Sequence, residues 1–74
     1  MEKMIKKAQS QGWEVRAFEF VDKDNCKVLV KREIAPFRDR PYSTHYYNIV
    51  NDSFYTGTYD MTYDEAKKHY DNIR

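Results

Sequence analysis

The sequence predicts an α+β fold: an antiparallel four-stranded meander flanked by an N-terminal and a C-terminal helix, in the order αββββα, with both helices on one face. Three observations carry this prediction. Each end of the chain holds a short stretch of helical periodicity, the middle alternates like strands, and polar turn residues divide the alternating part into two hairpins.

Met1, Met4, Ile5 and Ala8 fall at helical spacing, with Glu2, Lys3, Lys6 and Lys7 on the other side, and Gly12 stands where a left-handed cap would close a helix over 2–11. Trp13, Val15 and Ala17 then alternate with Glu14 and Arg16. The alternation slips at Ala17-Phe18, which implies either a bulge or a strand covered on both faces. Asp22-Lys23-Asp24-Asn25 is turn material and leads into a strand with Cys26, Val28 and Val30 on one face and Lys27, Leu29 and Lys31 on the other. Pro36 and Pro41 break the pattern, so residues 35–42 form a loop. Residues 43–50 and 54–59 are rich in strand formers and are joined by Asn51-Asp52-Ser53 as a second hairpin.

Thr62 can cap the first amides of the last helix while Glu65 reaches back to the Thr62 amide, the reciprocal arrangement of a capping box. Tyr63, Ala66, Tyr70 and Ile73 then form its inward stripe. Short turns between consecutive strands favour a meander, whose second face, with Lys27, Leu29, Lys31 and several tyrosines, is left for water or a partner.

At 74 residues the chain is expected to be a single domain spanning 1–74. A domain of this size buries only about 60% of its unfolded surface, so the core is thin. The single cysteine, Cys26, excludes an internal disulfide and suggests a reducing, cytoplasmic setting, with the thiol as inert packing. No apolar run approaches the roughly 20 residues of a membrane span, so no membrane partner is expected. The net charge is only +1, yet residues 1–42 carry ten Lys/Arg against seven Asp/Glu and residues 43–74 three against five. Aromatic residues are abundant, with seven Tyr, four Phe and one Trp.

Lys31, Arg32, Arg38 and Arg40, interleaved with Phe37 and Tyr42, make the proline loop the best functional candidate. Guanidinium groups grip carboxylates or phosphates, and aromatic rings fill pockets or stack on bases. Arg32, Phe37, Arg38, Arg40 and Tyr42 are therefore the expected partner-binding residues. The plainer alternative is a solvated loop in which Glu33 and Asp39 offset the cations and Phe37 tucks under the sheet. A second expectation is a nucleic-acid platform on the open sheet face, built from Lys27, Lys31, Arg32, Tyr46 and Tyr55.

His45 and His69 have no serine, cysteine or carboxylate at a spacing that nominates a catalytic group, so no catalytic residue is expected and the chain reads as a non-enzymatic binder. Asp60, Asp64 and Glu65 lack calcium-loop spacing, and the two glycines form no phosphate cradle, so neither metal nor cofactor is expected. A homodimer, formed through an uncovered edge strand or the second sheet face, would extend the thin core.

The segment Phe54 to Arg74, F-Y-T-G-T-Y-D-M-T-Y-D-E-A-K-K-H-Y-D-N-I-R, resembles the ends of small accessory proteins encoded by phages and integrative elements. The shared features are a glycine-containing strand, a Tyr-Asp step, a capped helix start and a Glu-Ala pair. The resemblance covers 21 of 74 residues and carries no functional residue across. It implies a context: a binder that blocks or modulates a host protein or protein–nucleic-acid complex, as anti-defence and anti-CRISPR proteins do.

Overall fold

The structure, a computed structural model, describes residues 2–73. Met1, the first residue of the expected helical stripe, lies outside them. Helix α1 spans Glu2–Ser10, strands β1 to β4 span Trp13–Phe20, Asn25–Arg32, Tyr42–Asn48 and Ser53–Met61, and helix α2 spans Tyr63–Asn72. The strands form one antiparallel sheet in the order β1-β2-β3-β4. The αββββα meander is therefore as the sequence predicts.

Local signals set the element ends. Gly12 takes φ 77°, a left-handed conformation in which a Cβ is strained, and its carbonyl accepts the Glu33 amide. Thr62 Oγ1 accepts the Glu65 amide at 3.2 Å while the Glu65 carboxylate accepts the Thr62 amide at 2.9 Å, which completes the capping box. In the first hairpin the Asp22 carboxylate accepts the amides of Asp24 and Asn25. Asn25 then joins three strands: its Oδ1 accepts Asn48 Nδ2 at 3.0 Å and the Tyr55 hydroxyl at 2.8 Å.

The expected strand slip is a bulge at Arg16, since the β1–β2 pairing shifts between Val15 and Ala17. Beyond it Phe18 faces Val28 and Phe20 faces Cys26, while Ala17 faces Leu29. Strand β3 ends at Asn48, so Ile49 and Val50 lie in an exposed turn rather than in a strand. Edge strand β4 is irregular, with register shifts against β3 and left-handed backbone at Thr56 and Asp60.

The expectation that both helices cover one face is corrected. Met4 of α1 packs against Cys26, Val28 and Val30, with Ile5, Trp13, Val15 and Phe54 around them. Ala66 and Tyr70 of α2 pack against Leu29, with Met61, Ala17 and Tyr42. Successive β2 residues point to opposite faces, so the helices sandwich the sheet. The physical reason lies in β2 itself, where all five residues from Cys26 to Val30 are buried. A central strand apolar on both sides needs a cover on both sides. Tyr63, expected on the inward stripe of α2, is 45% exposed, whereas Tyr70 is buried.

Candidate functional site

The β2–β3 loop separates the expected partner-binding residues into two groups. Arg32 Nη1 lies 3.3 Å from the Asp60 carboxylate, and its guanidinium sits 4.9 Å from the centre of the Tyr59 ring. Arg40 donates to the Asp60 carbonyl at 3.0 Å and to the Glu65 carboxylate at 2.6 Å, which ties the loop to the start of α2. The Thr62 amide and Arg40 together hold the Glu65 carboxyl below its usual range. Tyr42 is half-buried over Leu29, Met61, Ala66 and Tyr70 and meets the Tyr63 ring edge-on. Arg32, Arg40 and Tyr42 thus hold the loop in place and are not free anchors for a partner.

Phe37 and Arg38 remain. Phe37 is 54% exposed rather than tucked under the sheet, and the Arg38 side chain bonds no other described residue. Ile34, which the sequence reading passed over, is 90% exposed. Its signal was a large aliphatic residue between a strand and a proline turn. The remaining charges of the loop, Lys31 and Arg38 against Glu33 and Asp39, cancel. Its tip is therefore apolar with a mixed-charge rim, not a basic patch.

The expected nucleic-acid platform is not assembled. Lys27 is only 7% exposed; its ammonium donates to the carbonyls of Tyr70 at 3.0 Å and Ile73 at 3.4 Å. It also lies 4.5 Å from the centre of the Tyr70 ring and 3.8 Å from the Glu19 carboxylate. A cation at the carbonyl end of a helix is stabilised by the unbonded carbonyls and the helix dipole. Lys27 is thus a helix anchor, contrary to expectation. Tyr46 and Tyr55 stack on each other with ring centres 5.2 Å apart, and Tyr55 is committed to Asn25. Lys31 alone of the expected platform is an exposed cation.

On the opposite face, β3 places Ser43, His45 and Tyr47 in a row. His45 Nε2 lies 2.9 Å from Ser43 Oγ, a contact the sequence reading missed although residues two apart on a strand share a face. His45 stacks on Trp13 at 4.3 Å and meets the edges of Phe54 and Tyr59. Burial, and after it the nearby Arg32 charge, lowers the His45 pKa to about 4, so the ring is neutral at pH 7. Ser43 is fully buried, and no described acid bonds the ring, so the pair lacks the access and the orienting carboxylate of a nucleophilic dyad. Tyr47 donates a short hydrogen bond to Asp52; burial first, and this bond second, push its pKa to about 12. Lys3 and Lys7 lie 3.9 Å from the same carboxylate, which links α1 to the β3–β4 turn.

Cys26 is buried and unpaired, and burial raises its thiol pKa. Among the described residues no group of His, Cys, Asp and Glu could hold a metal ion, and no helix is long and apolar enough to cross a membrane. Comparison with family models, curated proteins and solved structures gives no match, so the geometry carries the functional argument alone.

Proposed function

We propose that the chain is a non-enzymatic binding module that engages a protein partner, alone or within a protein–nucleic-acid complex, through the tip of the β2–β3 loop. The observation that carries this reading is the outward placement of Ile34 and Phe37, with Arg38 bonded to no other described residue, on a loop whose ends are tied down by Arg32, Arg40 and Tyr42. Apolar side chains held out from a fixed base bind with little loss of conformational freedom, and an apolar centre with a charged rim is the common anatomy of a protein interface. The resemblance of residues 54–74 to accessory proteins of mobile elements supports a setting in which the partner is a host factor, bound so as to inhibit or modulate it, as anti-CRISPR proteins do. A reduced cysteine and a cytoplasmic location belong to the same proposal. The exposed edge of β1, with Phe18 and Phe20 each at least 40% accessible, is the surface on which a homodimer would form.

The test is a pull-down of tagged protein from host lysate, with and without nuclease, comparing the native chain with the Ile34→Ser, Phe37→Ser double variant. The expected result is one complex that survives nuclease and is lost in the variant, with thermal stability unchanged. Capture equal in both removes the loop from the mechanism. Capture abolished by nuclease favours the other reading, direct nucleic-acid binding, which the burial of Lys27 disfavours.

A further inference from the structure

We propose that the groove over Trp13 and His45, on the α1 face of the sheet, is a binding site for a small neutral heteroaromatic molecule, a free nucleobase or nucleoside. The site is independent of the loop. It lies beside α1, whose backbone approaches β1 most closely, and holds about 340 Å³ between Lys7 of α1, Gln11 in the turn that follows it, and Phe54, Gly57 and Tyr59 of β4. A volume of this size falls at the lower end of small-molecule sites.

Two features point to the ligand. Half of the lining residues carry rings: Trp13 stacks on His45, and Phe54 and Tyr59 present their edges to the same imidazole, with Tyr55 beside them. Such a lining favours a flat aromatic guest by stacking. The second feature is an unspent hydrogen-bonding atom. His45 is 98% buried, and Nε2 is engaged by Ser43, while no described residue bonds Nδ1. No sealed side-chain nitrogen or oxygen among the described residues lacks a partner, so Nδ1 keeps a trace of accessible surface, and His45 is one of the residues that line the groove. The neutral imidazole offers Nδ1 as donor or acceptor according to which way the Ser43 hydroxyl turns. A heteroaromatic edge satisfies either tautomer, whereas a plain hydrocarbon ring would leave the nitrogen dry and unbonded.

The groove itself carries little charge. Lys7 is the one charged residue along it, and Lys7 is directed to Asp52 at 3.9 Å. Gly57 shapes the wall: a Cβ there would stand 2.7 Å from the Tyr59 ring, so only glycine lets that ring lie against the strand. Tyr59 in turn lies beneath the Arg32 guanidinium, which fixes its other side.

Trp13 is the sole tryptophan, so its fluorescence reads occupancy of the groove directly. The experiment titrates the full chain with adenosine, guanosine, cytidine and uridine, and with toluene as a ring lacking polar atoms. The expected result is saturable quenching by at least one nucleoside, with weaker binding of toluene. Affinity should fall roughly tenfold in His45→Phe, which keeps the stacked ring and removes the nitrogen. Gly57→Ala displaces only the outer Tyr59 ring and should weaken binding while the fold persists. In the native chain the ring-nitrogen NMR shift of His45 Nδ1 should move on binding, a readout that needs no variant. Absence of saturable quenching by every nucleoside overturns the proposal, as does an Nδ1 shift that stays fixed while quenching saturates. Equal affinity for toluene overturns the assigned ligand class.

Discussion

The two faces of the sheet are built from alternate residues of the same strands, yet they solve burial in different ways. On the α2 face the helix is fastened by polar devices: Lys27 on the carbonyls of Tyr70 and Ile73, His69 Nδ1 at 2.8 Å from Thr44 Oγ1, and Arg40 on Glu65. On the α1 face the helix covers part of the sheet, and beside it aromatic rings that line a groove pack around one buried histidine. The difference teaches where each face can still act. A face whose polar groups are spent on its own helix is structural, while a face that leaves one imidazole nitrogen unbonded retains capacity for a ligand.

The largest expected effect comes from breaking the α2 face at its centre. Leu29 is 1% exposed, and Leu29→Ala should cost about 2–5 kcal/mol, enough to unfold much of a domain this small. Urea denaturation measures this, and a cost under about 1 kcal/mol would mean that α2 does not depend on the Leu29 contact.

The α1 face is sharpened by pH. His45 has a pKa of about 4 when folded against an ordinary value of 6.5, so the unfolded chain takes up the proton first. Its contribution is therefore fully present above pH 6.5, declines as pH falls toward 4 and is lost below that, a change of at most about 3 kcal/mol. Melting curves between pH 6.5 and 5, above the carboxylate range, should show this slope in the native chain and lose it in His45→Gln. An equal slope in both would place the titration elsewhere.

The smallest effect concerns the start of α2. Thr62→Ala removes the side-chain acceptor of the Glu65 amide and should cost about 1 kcal/mol. Thr62→Asp should restore most of the loss; failure to do so would mean that the cap acts through packing rather than through its hydrogen bond.

Much of this architecture was legible before any coordinates. The capping box needs only residues three apart, and the Gly12 terminus and the Asp22 turn are equally local. The proline loop was legible too as a loop carrying Phe37 and Arg38, both of which are exposed. Its electrostatics were not, because Arg32 finds Asp60 at 28 residues' separation and Arg40 finds Glu65 at 25. Each arginine looks like a free cation until the chain brings its carboxylate to it.

The sequence by itself determined the number, type and order of the elements, because periodicity, caps and turns are energies of neighbouring residues. Only the tertiary structure decided that the helices sit on opposite faces, that Lys27 is buried against α2 from 43 residues away, and that Ile34 rather than Tyr42 stands free. These outcomes depend on which distant surfaces meet to bury both sides of β2. That is settled by packing over the whole chain, and no local pattern encodes it.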